Sequence, residues 1–143
     1  MDTIVVGIDG SADAIDALRW AVREAARRGA CVRALAAFDF LVVDVLGANV
    51  QLHPFTGDPA RAFEHATLAV HAVQPEAGEV AIEPEAVQGD PGRVLCDAAR
   101  SADLVVVGRY GTRAGPHRLG SVASYVVHHS PCPVVVVPTG STA

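Results

Sequence analysis

The segment most capable of chemistry is Gly108-Arg109-Tyr110-Gly111-Thr112-Arg113-Ala114-Gly115-Pro116-His117-Arg118-Leu119-Gly120-Ser121, which holds four glycines, three arginines and no acid. That composition suits a small anion. Glycines let the backbone approach a ligand without interference from a Cβ atom. Gly120-Ser121 precedes an apolar helical stretch, and a helix start offers unpaired N–H groups and a positive dipole end. A second segment, Gly7-Ile8-Asp9-Gly10-Ser11, ends an apolar run and supplies one carboxylate, Asp9.

Other chemistries are excluded or poorly supported. All eleven basic residues are Arg. Without Lys there is neither a Walker-type phosphate loop nor a Schiff-base amine. No GxGxxG follows the first strand-like run, which argues against a dinucleotide enzyme. His128 and His129 are adjacent on a predicted helix, so their rings diverge by about 100°. His65 and His71 lie six apart, which also separates their faces, and both read as solvated or partner-facing side chains. Ser11 and Ser121 lack evident His–Asp partners and read as helix caps. No catalytic set emerges. Cys31, Cys96 and Cys132 form no CxxC pair and read as structural thiols.

Charge is unevenly placed. Residues 1–103 carry all sixteen acids and eight Arg, net −8, whereas residues 104–143 carry three Arg and no acid, net +3. A net acidic chain argues against nucleic acid as partner. No apolar run approaches the ~20 residues of a membrane span. The start, Met1-Asp2-Thr3, does not read as a secretory signal, so a cytoplasmic location is expected.

The elements that must position these residues follow from periodicity. Thr3 to Ile8 is a continuous β-branched run, as in a strand buried on both faces. Ser11 then caps a helix with Ile15, Leu18, Val22 and Ala25 at helical spacing, stopped at Arg27-Arg28-Gly29. A second strand runs from Cys31 to about Phe38. Residues 39–57 make a long apolar connection, of a length often used as lid, ligand wall or interface; part of it reads equally as an extension of strand two. Asp58-Pro59 and Asp90-Pro91 each place a capping carboxylate before a proline suited to the first helical turn. Phe63, Ala66, Val70 and Val73 form the predicted inner stripe of the first of these helices. Residues 79–87 alternate and contain Pro84, as an edge strand does. Leu104 to Val107 reads as a central strand, about Ser121 to His129 as a helix, and Val134 to Val137 as the last strand. Strands alternating with helices imply right-handed crossovers, a parallel sheet and three layers. Residues 1–143 fit one such domain.

Three stretches carry a family likeness: Ile4-Val5-Val6-Gly7-Ile8-Asp9-Gly10-Ser11, Ala102-Asp103-Leu104-Val105-Val106-Val107-Gly108, and Gly120-Ser121-Val122 with Pro131-Cys132-Pro133-Val134 to Val137. Over its whole length the chain resembles the universal stress proteins. The resemblance implies an α/β doubly wound five-stranded parallel sheet in the order 3-2-1-4-5. It also implies an adenine nucleotide (ATP, ADP or AMP) at the carboxyl ends of the strands. Nucleotide-binding members carry G-x2-G-x9-G-S/T, onto which Gly108, Gly111, Gly120 and Ser121 map. By the same likeness Asp9 is the carboxylate beside the nucleotide and the one group near its Mg²⁺. Gly7, Ile8, Ala37, Val107, Tyr110 and Val122 complete the cofactor-binding set. Eight residues separate Gly111 from Gly120, one fewer than the family's nine, so the triphosphate should be held less firmly than the adenosine.

The resemblance further implies a regulator that acts in the stress response through a protein partner. A nucleotide-independent dimeric scaffold and a slow ATPase are the rival readings. In the implied strand order the uncharged Val134 to Val137 strand is a sheet edge, which predicts a homodimer joined through it.

Overall fold

The computed structural model describes residues 2–39, 41–52, 58–109 and 119–138. Along them run β1 (Thr3–Ile8), α1 (Ala12–Arg28), β2 (Cys31–Phe38), β3 (Leu41–Val45), β4 (Ala48–Leu52), α2 (Pro59–Ala77), β5 (Ile82–Gln88), α3 (Pro91–Ala99), β6 (Leu104–Gly108), α4 (Ser121–His129) and β7 (Val134–Val137). Five strands form one parallel sheet in the order β5-β2-β1-β6-β7. With the β3–β4 pair set aside, this is the expected 3-2-1-4-5 order.

The continuous apolar runs are explained by burial on both faces. Ile4 and Val6 pack with α1 and α2, whereas Val5 packs with α3 and α4, and all three are fully buried. Each such side chain contributes about 1.5–3 kcal/mol relative to exposure. Val105 and Val106 of β6 divide between the faces in the same way. β1 pairs with β2 as far as Ile8↔Ala36, and β6 with β7 as far as Gly108↔Val137. The carboxyl ends of these strands therefore finish together.

Helix boundaries follow their caps. Ser11 accepts a hydrogen bond from the Ala14 amide, and Gly29 ends α1 with a left-handed φ of 70°. Asp58 and Asp90 cap α2 and α3 through the amides of Ala60 and Arg93. β5 is an edge, as Pro84 foretells, and it is tied to β2 by Arg33, whose guanidinium donates to both carboxylate oxygens of Glu85 at 2.7 and 3.0 Å. That hydrogen-bonded pairing holds the Arg33 guanidinium above its usual range, against the opposing effect of burial.

Two expectations need correction. Residues 41–52 neither extend strand two nor run irregularly: β3 and β4 form an antiparallel hairpin around Leu46-Gly47, both with positive φ. Nothing in the sequence announces the hairpin, because Leu at a positive-φ position carries no turn signature. On α2 the inner stripe is Ala62, Ala66, Ala69, Val70, Val73 and Ala77, and Phe63 is 48 % exposed. Small alanines let the helix sit close to the sheet, so the face is set by Ala62 rather than by its larger neighbour.

The thiols are free in the structure, with Cys96 buried and Cys31 and Cys132 half-buried. Burial, helped by Asp97 and Cys132, pushes the Cys96 thiol up, which keeps it protonated and unreactive. Among the described residues, no helix is long and apolar enough to cross a membrane.

Candidate functional site

The winding of the sheet reverses between β1 and β6: the chain leaves β1 toward β2 on one side, while β6 lies on the other. In an open parallel sheet a crevice forms beyond the carboxyl ends at such a point. The described residues among those expected to bind a ligand lie around it, with differing surroundings.

On the β1 side, Ile8 buries its side chain in the core under α1 and α2, leaving only backbone at the crevice. Gly7 lies beneath α3, where a Cβ would stand 2.8 Å from Leu95 Cδ1. Asp9 is held in a local turn, its Oδ1 accepting from both the amide and the hydroxyl of Ser11. Ser11 in turn caps α1, so carboxylate, hydroxyl and helix start form one connected unit. Oδ2 takes no part in these bonds. Ala37, near the end of β2, is half-buried against the α3–α4 face.

On the β6 side, Val107 is buried. Gly108 faces the first turn of α1: a Cβ built on it would stand 2.9 Å from Asp13 Cβ and 3.1 Å from the Asp13 backbone carbon and oxygen. Asp13 is 8 % exposed and is the one buried charged side chain among the described residues. In the sequence Asp13 is an ordinary acid near a helix start. In the structure Asp13 stands beside Gly108, at the carboxyl end of β6.

The glycine-rich segment is closed at its base. The Arg109 amide donates to Val137 O at 3.0 Å, extending the β6–β7 pairing, and the Gly120 amide donates to Arg109 O at 2.7 Å. This second bond brings residues eleven apart in sequence together, at the carboxyl end of a central strand. Gly120, itself buried, is the N-cap of α4, with no side-chain cap. Helix geometry leaves the first four N–H groups without intrahelical acceptors. Gly120 spends its own on Arg109, so the donors open to an anion belong to Ser121, Val122 and Ala123. Ser121 is exposed and Val122 half-buried against the α3–α4 core. Tyr110 and Gly111, the remaining expected contacts, lie outside the described residues, as does His117.

No group of three or more His, Cys, Asp or Glu capable of holding a metal occurs among the described residues. His128 and His129 each turn Nδ1 back to a carbonyl of their own helix, those of Ser124 and Tyr125. His65 departs from the solvated reading. It is half-buried with its ring set against Gly10, 55 residues away in sequence, and nothing local announces that contact.

A doubly wound parallel α/β sheet with open helix-start amides at its reversal point is the class that fold and site define. The sequence profile of the universal stress protein family matches residues 1–138, and the chain belongs to that family. Universal stress protein Rv2624c of Mycobacterium tuberculosis is 35% identical over 142 residues, covering 96% of this chain and 48% of that relative. The chain thus spans about half the length of the curated relatives it matches most fully. Among solved structures, a universal stress protein in complex with cAMP has a TM-score of 0.71 at 30% identity, with 97% of this chain and 98% of that chain covered. The Archaeoglobus fulgidus protein in complex with dAMP has a TM-score of 0.70 at 26% identity, covering 95% and 97%.

Proposed function

We propose that this chain, read as one domain over residues 1–143, binds an adenine nucleotide in the β1–β6 crevice. We further propose that it works as a cytoplasmic stress-response regulator, read by a protein partner. The observation that carries the reading is the Arg109–Gly120 closure, which presents the amides of Ser121, Val122 and Ala123 beside the acid-free segment. The relatives holding cAMP and dAMP support it. Gly7, Ile8, Asp9, Ala37, Val107, Gly108, Tyr110, Gly111, Gly120, Ser121 and Val122 are the proposed cofactor-binding residues, Gly7 and Ile8 through their backbone. Mg²⁺ would enter on the nucleotide, with Asp9 the carboxylate that would help hold it. Calorimetric titration with AMP, ADP and ATP tests the reading. The short loop predicts nearly equal affinities for ATP and AMP, and a large ATP preference would contradict that part.

The same reading includes a homodimer through β7. Val134, Val135 and Val136 are half-buried on an edge strand with no charge between Pro133 and Pro138, whereas the other edge carries Glu83, Pro84 and Glu85. Uncharged apolar edges invite pairing, and an antiparallel two-fold pairing would close the contact. Light scattering should give twice the chain mass at micromolar concentration. Val136→Lys should shift the protein toward monomer or aggregate; a clean wild-type monomer would refute the dimer.

A further inference from the structure

His65 reaches the crevice rim from α2, an element that supplies none of the cofactor-binding residues proposed above. A Cβ built on Gly10 would stand 3.0 Å from its Cε1, 3.1 Å from Nδ1 and 3.2 Å from Nε2. The polar edge of the imidazole, with both nitrogens, therefore confronts the turn that follows Asp9. That approach exists because Gly10 has no side chain and holds a φ of 85°, a region glycine adopts freely. Neither ring nitrogen hydrogen-bonds among the described residues, although the side chain is half-buried. A half-buried imidazole in that state has bonding capacity to offer.

The charges on the two sides of the crevice indicate what it would take. Asp9 stands on the β1–α1 side, and on α2 Asp58, Arg61 and Glu64 line one surface depression with His65. A phosphate is disfavoured next to the Asp9 carboxylate, which repels it. The β6–α4 side has no acid from Leu104 onward and offers open helix amides. A neutral polyol portion of the nucleotide suits the first side, and the phosphate the second.

Resting on the nucleotide reading above, we propose that His65 is a specificity-determining residue that hydrogen-bonds a ribose hydroxyl of the bound nucleotide. The imidazole and Asp9 flank Gly10 and together form the sugar end of the site. His65 then sets discrimination between ribose and deoxyribose, and leaves recognition of the phosphate to the β6–α4 side.

The test is titration of wild type, His65→Ala and His65→Gln with AMP, 2′-deoxy-AMP and 3′-deoxy-AMP, with thermal denaturation as a check on folding. Wild type should prefer AMP over one deoxy analogue by about three- to tenfold, the value of one hydrogen bond. His65→Ala should lose that preference while binding the deoxy analogue as wild type does, and His65→Gln should restore part of it. If His65→Ala weakens all three ligands equally, or none, His65 does not read the sugar and the inference fails while the nucleotide reading stands. If wild type binds none of the three, the nucleotide reading itself fails and takes this inference with it.

Discussion

Gly108→Ala should lower the stability of the fold by about 1–3 kcal/mol, the usual consequence of forcing extra atoms into a packed position. The thermal midpoint should fall by several degrees, at about 2–4 °C per kcal/mol for a chain of this size. A Cβ there meets the Asp13 backbone at 3.1 Å and its Cβ at 2.9 Å, and α1 cannot yield without disturbing its own buried side chains Ala14, Ala17 and Leu18. The family pattern alone assigns Gly108 to the ligand; the geometry gives it a prior duty in seating α1. Thermal denaturation without ligand separates the two roles. An unchanged midpoint would leave Gly108 as a ligand residue only.

Gly120→Pro should weaken nucleotide binding by tenfold or more and leave the sheet folded. Gly120 has φ −60° and ψ 159°, values a proline adopts without strain. The substitution therefore keeps the backbone angles, removes the N–H that donates to Arg109 O at 2.7 Å, and adds a ring at this buried position. The closure at the base of the glycine-rich segment would open, and the α4 amides would move away from β6. Circular dichroism reports whether the fold survives, and calorimetry reports the affinity. Wild-type affinity in a folded variant would mean that this closure does not organise the site.

Much of this was legible in the residues because the controlling signals are local. The Asp-Pro pairs, Ser11 and Arg27-Arg28-Gly29 mark helix ends with side chains that do the capping, and the structure places α1, α2 and α3 accordingly. Pro84 between two glutamates marks the β5 edge in the same way. What escaped depends on contacts distant in sequence or on the size of a neighbour. Phe63 out-ranks Ala62 in hydrophobicity but is too large for the close helix–sheet approach that the alanines permit. Asp13 reads as an ordinary helix-start acid until β6 brings Gly108 beneath it. His65 reads as solvated until Gly10, across 55 residues, leaves room for its ring. The Leu46-Gly47 turn has an atypical first residue, so the hairpin stayed hidden within an apolar stretch.

The central claim is that the β1–β6 crevice holds an adenine nucleotide, and calorimetric titration of the purified chain with AMP and ATP tests it most directly. Saturable binding with a dissociation constant in the micromolar range, on the order of −8 kcal/mol, and little difference between the two ligands is the predicted result. No saturation with either nucleotide at millimolar concentration would contradict it and leave the dimeric scaffold as the reading of this fold.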